Sequence, residues 1–229
     1  RSGRIRHFHR HERSFAMALS GRRIAVVHFS SADYILGTSI LDMENLGLKP
    51  HARLWETVAT HPFFVIPLLA TLCLCLHYSA LSGGWRYDDG QHMYFVTQHS
   101  PWQYFVLPDI IREQSWANFT PWNALFYEIG LPFFGLEPTG YYAHLLLVIG
   151  LSAAMTFFLL RLWLTPLAAL IGSALFLAMP ATGAIGQMLM TGHYAYGLLF
   201  SILTFYFFTR SIQEKNFNLS LLAAACYVM

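Results

Sequence analysis

An uncharged run at positions 62–81 constrains this chain more than any other feature. These 20 residues include no Asp, Glu, Lys or Arg, and about 20 such residues suffice to cross the hydrocarbon core of a bilayer as an α-helix. In lipid, every backbone N–H and C=O group must be paired within the protein, and a helix achieves that within one segment. The chain is therefore predicted to be an integral membrane protein.

The composition agrees with a membrane protein. Hydrophobic residues make up 55% of the chain and charged residues 11%, whereas an average soluble domain has about 25% charged residues. Aromatic residues, at 16%, suit interfacial belts of Trp and Tyr. The basic residues form no patch interleaved with aromatics, so we expect no nucleic-acid partner. Cys73, Cys75 and Cys226 all lie in apolar runs and are interpreted as packing residues.

Four further apolar segments follow the first and predict an all-α fold, a polytopic bundle of transmembrane helices. Pro166 is suited to the start of a helix. The segment 181–193 holds three glycines and is interpreted as a loop or a short re-entrant segment, part of which extends the two short spans beside it. The predicted spans cover about residues 62–81, 141–160, 167–180, 194–209 and 219–229.

The distribution of Lys and Arg predicts the orientation, because cytoplasmic loops carry an excess of these residues. Residues 1–57 hold nine basic and five acidic residues, whereas residues 82–139 hold two basic and six acidic ones. Arg161, Arg210 and Lys215 lie in connections that alternation places on the same side as the basic leader. We therefore expect loop 82–139 to be extracytoplasmic, in a protein of the bacterial inner membrane.

The two ends of the chain are not expected to be natural termini. It begins at Arg1 rather than Met and ends inside a hydrophobic run. Met17 and Met43 are internal candidates for the start, and Met43 opens a short polar lead into the first span. Residues 1–57 are interpreted as a basic cytoplasmic leader, in which 1–42 need not be native, and 58–229 as the N-terminal part of a transmembrane domain.

The basic leader and the first span could instead form a signal peptide. The apolar core is too long for one, and the residues after it, LSGG at 81–84, make only a weak cleavage site. An uncleaved anchor is the better interpretation.

Two adjacent carboxylates, Asp88 and Asp89, stand just after the first span in the sequence WRYDDGQH at 85–92. Charge is costly inside lipid, and acidic residues at the edge of a span tend to be functional. A carboxylate there could take a proton from an acceptor while a phosphate leaves a lipid-bound donor. The alternative is a helix cap, in which Asp accepts backbone N–H bonds and favours the positive end of the helix dipole.

Loop 82–139 is 58 residues long, too long to be a mere connector. Its aromatic clusters predict short amphipathic helices that lie on the membrane. One interpretation of these aromatics is interfacial anchoring, and the other is a groove for a lipid-linked substrate. The clusters are at residues 94–96, 102–105 and 133–134.

The arrangement of an N-terminal span, an Asp-Asp pair just outside it and a long first external loop resembles the GT-C superfamily of integral-membrane glycosyltransferases. The segment from FTPW at 119–122 to FGLEPTGYYAHL at 134–145 is similar to a recurring bacterial pattern. In that pattern an aromatic-Pro stretch leads to FGL-x-P-x-(G)Y and then to a second span with a polar residue near its start. The resemblance covers about residues 60–210 and is to the protein O-mannosyltransferase and lipid A aminoarabinose transferase branches.

The resemblance implies an enzyme of the cell envelope that moves a sugar from a polyprenyl-phosphate donor to an extracytoplasmic lipid, glycan or protein acceptor. It assigns the catalytic acidic motif to Asp88 and Asp89, which would also bind a divalent metal ion if the enzyme uses one. The leaving phosphate needs a positive partner or a metal. The candidates for substrate binding are Arg86, His92, Arg112 and His193. His92 alone is also interpretable as an interfacial polar residue.

Two other functions stay open. A transporter or flippase for a lipid or small solute would favour ionisable residues inside the spans and on broken helices, but the predicted spans hold only His77 and His144, and the acids lie outside. A non-catalytic membrane subunit with the same architecture is the third possibility, because a fold alone does not establish function.

Overall fold

The computed structural model describes residues 61–114 and 120–229. Within those ranges the chain is helical and contains no β-strand, so the predicted all-α fold is confirmed. The expectations for the basic leader and for a start at Met43 lie outside the described residues.

Ten α-helices lie within the described ranges. They are α1 Pro62–His77, α2 Asp89–Gln98, α3 Pro101–Val106, α4 Pro108–Gln114, α5 Pro121–Phe134, α6 Pro138–Leu160, α7 Pro166–Ala178, α8 Pro180–Gly186, α9 Gly192–Glu214 and α10 Phe217–Val228. Two 3₁₀ turns accompany them: Tyr78–Ser82 follows α1, and Leu189–Thr191 precedes α9.

Three helical segments of the described chain are long and apolar enough to cross a membrane: Phe63–Ser82, Pro138–Leu160 and Leu189–Glu214. Helices α7 and α8 form a fourth candidate, although they are bent by 55° relative to each other. Helix α10 is apolar but only 12 residues long. These helices support the prediction of a membrane protein with several spans.

The third predicted span, 167–180, is not one straight helix. Proline has no N–H, and its ring disfavours the α conformation in the residue before it. Met179 accordingly has an extended backbone, with φ −65° and ψ 138°, and Pro180 starts the short helix α8. The segment 181–193 is therefore largely helical, and the fourth span is longer at both ends than the predicted range 194–209.

Proline is the first residue of seven of the ten α-helices described above. Its ring fixes φ near −65°, and the first N–H of a helix needs no intrahelical partner, so proline suits this position. Pro101, Pro108 and Pro121 divide loop 82–139 into short helices, as the aromatic pattern predicted.

Helix α6 is the centre of the bundle and packs against α1, α7 and α9. It buries Ser152, Ala153 and Ala154, small residues that allow helices to approach closely in lipid. Helix α5 packs against α6 and α9, and α2 packs against α5. The helices of loop 82–139 are therefore fixed to the spans, and they position the acidic pair.

Candidate functional site

Contacts with α6 and with the turn before it hold the segment that leads to the acidic pair. The indole Nε1 of Trp85 donates to the carbonyl of Leu136 at 2.9 Å, and the hydroxyl of Tyr142 donates to the carbonyl of Gly84 at 3.2 Å. Gly83 leaves no room for a side chain, since a Cβ there would lie 2.6 Å from the ring of Tyr142. The chain is thus fixed where it leaves the first span.

The two carboxylates have different environments. Asp89 is only 1% exposed: its Oδ1 accepts from the hydroxyl of Tyr127 at 2.6 Å, and its Oδ2 accepts from the backbone N–H of Arg86 at 2.7 Å. Asp88 is exposed. It occupies the cap position of α2, but its side chain makes no capping hydrogen bond. Asp88 is therefore the carboxylate of the pair that a solute can reach.

The turn 86–89, which contains both aspartates, is strained at Tyr87. This residue has a left-handed φ of 49° and is 77% exposed. For a residue with a side chain, the left-handed conformation costs about 1–2 kcal/mol, and such strain clusters at functional sites. The bond from Arg86 N–H to Asp89 spans the strained residue and helps to hold the turn closed.

Tyr127 is fully buried in an aromatic cluster. Its ring centroid lies 5.2 Å from that of His92, 6.0 Å from Tyr141 and 6.5 Å from Trp85. Burial raises the pKa of the Tyr127 hydroxyl far above its usual value, and the hydrogen bond to Asp89 raises this pKa further. The hydroxyl stays protonated at physiological pH and donates to the carboxylate, and such charge-assisted bonds are about twice as strong as neutral ones.

His92 lies beside this pair and is also buried. Its Nε2 lies 3.2 Å from the side-chain amide of Asn123, with which it forms a hydrogen bond. Burial lowers the pKa of His92; Asp89 and Asp88 oppose that shift, and His193 adds to it. We expect the imidazole to be neutral near pH 7.

Two buried polar atoms near this cluster have no hydrogen-bond partner among the described residues. They are Oδ1 of Asn123, in a side chain only 2% exposed, and Nδ1 of His193. His193 stands at the start of α9.

The structure gathers most of the residues that the sequence proposed. His92 lies close enough to Asp88, Asp89 and His193 to interact with each of them electrostatically. Arg86 belongs to the same turn as the two aspartates. Arg112 is an exception. It is exposed on α4, where its guanidinium pairs with Asp109 at 3.3 Å.

Sequence reasoning missed Tyr127 and Asn123, the two residues of α5 that contact the acidic pair and His92. Their spacing of four places them on one face of a helix, and that spacing was the available signal. The hydroxyl of a second buried tyrosine, Tyr104, lies 3.1 Å from the half-buried carboxylate of Glu128 and 3.0 Å from the His99 carbonyl.

The residues of the site do not fit a divalent metal ion. Within 61–114 and 120–229, no three His, Cys, Asp or Glu residues are arranged to bind one. Both oxygens of Asp89 already accept hydrogen bonds from the protein, so the pair offers a metal one exposed carboxylate, that of Asp88.

No family model, curated protein or solved structure matches this chain.

Proposed function

We propose that this protein is a GT-C-type membrane glycosyltransferase, which moves a sugar from a polyprenyl phosphate to an extracytoplasmic lipid, glycan or protein acceptor. The observation that carries the proposal is the exposed carboxylate of Asp88, held by a strained turn at the end of a membrane-spanning helix. A base there can meet a lipid-anchored donor and a water-soluble acceptor at once.

In the proposed reaction Asp88 accepts the proton of the acceptor hydroxyl as the acceptor oxygen attacks the anomeric carbon. A carbon–oxygen bond forms there, and the bond between that carbon and the phosphate oxygen breaks. The polyprenyl phosphate leaves with the electron pair, and a single displacement inverts the anomeric centre. Arg86, exposed two residues before Asp88, is the nearest permanent positive charge in sequence for the leaving phosphate.

The surroundings of the site favour a lipid-linked donor. Helices α2 and α3 expose the aromatic side chains of Tyr94, Trp102 and Phe105, which are suited to the level of the lipid headgroups. A polyprenyl chain would lie in the hydrocarbon and bring its phosphate to that level. The distribution of Lys and Arg favours an extracytoplasmic position for this face, and the bacterial inner membrane is the proposed location.

The test is sugar transfer by the intact protein in lipid nanodiscs, with a panel of radiolabelled polyprenyl-phosphate sugars. Asp88→Asn keeps the size of the side chain and removes its basicity, and loss of a general base typically costs about 10²–10⁴-fold in rate. Asp109→Asn is the matched control, because Asp109 is an exposed carboxylate on α4 that pairs with Arg112. Equal activity of the Asp88→Asn variant and the wild type would contradict the proposal.

A lipid or small-solute transporter or flippase is the second candidate, and the break between α7 and α8 favours it. Discontinuous helices near the midplane often form transporter substrate sites, and these two helices are bent by 55°. Lipid scrambling in proteoliposomes separates the candidates. A flippase would lose transport on Pro180→Ala and retain it on Asp88→Asn, whereas a transferase would show no scrambling in either variant.

A further inference from the structure

Asp89 is saturated by hydrogen bonds and closed to solvent. One oxygen accepts from Tyr127 and the other from the backbone of Arg86, at 2.6 Å and 2.7 Å. A carboxylate with both oxygens engaged and 1% exposure is poorly placed to meet a substrate hydroxyl. Its hydrogen bond to the backbone N–H of Arg86 instead holds the turn 86–89 closed.

That turn depends on an interaction distant in sequence. Tyr87 is held in a left-handed conformation, which a residue with a side chain keeps only when the surroundings impose it. One restraint is the bond from Arg86 N–H to Asp89, and Asp89 is in turn held by Tyr127 on α5, 38 residues further along the chain.

Tyr127 is a rigid support for this arrangement. Its side chain is fully buried, and the rings of Trp85, His92, Phe126 and Tyr141 surround it. Helix α5 itself packs on α6 and α9. The position of the Tyr127 hydroxyl is therefore fixed relative to the membrane spans.

We infer that Tyr127 is a positioning residue, which acts through Asp89 to hold the turn 86–89 and so presents Asp88 to the substrate. This inference rests on the proposed function. Misplacement of a reacting group by about 1 Å can cost about 10²-fold in rate, so loss of the Tyr127 hydroxyl should lower kcat and leave KM nearly unchanged.

The test compares Tyr127→Phe with Tyr104→Phe in the intact protein. Tyr104 is an apt control, because it is also fully buried and its hydroxyl lies 3.1 Å from a carboxylate, that of Glu128, as well as 3.0 Å from the His99 carbonyl. These contacts hold α3, which packs on α5, rather than the turn 86–89. We expect kcat to fall about 10- to 100-fold in Tyr127→Phe and less than about threefold in Tyr104→Phe, with KM within about twofold in both.

A second measurement does not depend on the reaction. A spin label on Tyr87→Cys, in a background where Cys73, Cys75 and Cys226 are replaced by Ala, reports the mobility of the turn. Tyr127→Phe should raise the label's mobility and Tyr104→Phe should not. Asp89→Asn is the additional variant in case Tyr127→Phe does not fold, since its amide has one acceptor oxygen and cannot accept from both the Arg86 N–H and the Tyr127 hydroxyl.

The outcomes separate the inference from the proposed function. Unchanged label mobility in both Tyr127→Phe and Asp89→Asn overturns the inference, whatever the transfer assay shows. Raised mobility with wild-type kcat also overturns it, because the turn then does not control the reaction. If the wild type transfers no sugar, the proposed function is rejected even where Tyr127→Phe raises the label's mobility. The assignment of Tyr127 to catalysis is then rejected as well.

Discussion

The imidazole of His77, in the last turn of α1, donates a hydrogen bond from Nε2 to the backbone carbonyl of Leu177 at 3.0 Å. Leu177 lies in the last turn of α7, just before the break at Pro180. The hydroxyl of Thr182 donates at 2.8 Å to the neighbouring carbonyl of Phe176, which also accepts from the backbone N–H of Met179 at 3.3 Å. The side chain of His77 thus satisfies a carbonyl that the broken helix leaves open, as an apolar environment requires, and Thr182 adds a second donor beside it.

His77→Phe should therefore destabilise the protein. The ring keeps its bulk, but the buried carbonyl of Leu177 loses its donor, at a cost of about 1–3 kcal/mol. His61→Phe is the control, since His61 is exposed. Thermal unfolding in detergent measures both variants, and equal melting temperatures would show that the His77 bond contributes nothing.

The two aspartates should differ in their effect on stability. Asp89→Asn removes a charged, buried acceptor of two hydrogen bonds and should lower the free energy of unfolding by about 1–3 kcal/mol. Asp88→Asn changes an exposed side chain without a capping bond, and surface changes of this kind stay within about 0.5 kcal/mol. Denaturant titration measures the difference, and the reverse order would contradict the hydrogen bonds described for Asp89.

Gly130 should not tolerate a side chain. A Cβ there would lie 2.2 Å from the ring of Tyr141, and overpacking of this kind costs about 1–3 kcal/mol. Gly90 on α2 is the matched control, because a Cβ there meets nothing within 4 Å. Gly130→Ala should lower the melting temperature, whereas Gly90→Ala should be neutral or gain up to about 1 kcal/mol from helix propensity. A neutral Gly130→Ala would show that α5 and α6 pack less closely.

His92 should make the protein less stable in mild acid. An imidazole in the unfolded chain has a pKa near about 6.5, whereas burial lowers the pKa of His92 in the folded state. As the pH falls below about 6.5, the unfolded state binds a proton that the folded state does not, so stability is lost. His92→Gln should weaken the fall in melting temperature between about pH 7.5 and 5.5. An unchanged slope would show that His92 charges freely in the folded protein.

The proposed orientation predicts which positions an impermeant thiol reagent labels in intact cells. Ser100→Cys, exposed before α3, should react, and Gln213→Cys, exposed near the far end of α9, should not. Gln213 is a better probe than Ser211, which is buried. Helix α9 has 23 residues and spans about 34 Å at 1.5 Å per residue. The opposite labelling pattern would reverse the topology and remove the extracytoplasmic site.

The spans were predictable because the membrane imposes a local requirement. The composition of each of the runs 62–81 and 141–160 is enough to predict that it can cross a membrane as a helix, without knowledge of any packing partner. The bend between α7 and α8 was only partly predictable, because Pro180 marks a break but the donors that stabilise the break come from His77 and Thr182.

The acidic pair was visible in the sequence, but the difference between its two members was not. Asp88 and Asp89 are adjacent and chemically identical, and only the contact with Tyr127, 38 residues away, buries one of them. The pairing of His92 with Asn123 spans 31 residues. Local patterns carry no information about such pairings, whereas the pairing of Arg112 with Asp109 is local and could have been read from the i, i+3 spacing.

The prolines that open most of the helices have a consequence for how the chain is made. The proline ring fixes φ near −65° by its own covalent geometry, so this restraint on the start of a helix exists before any packing partner has been synthesised. The starts of helices α3 to α8, which all begin with proline, are thus restrained locally before the helices pack together. Only the pairings between segments, such as that of Tyr127 with Asp89, must wait for the later helix to arrive.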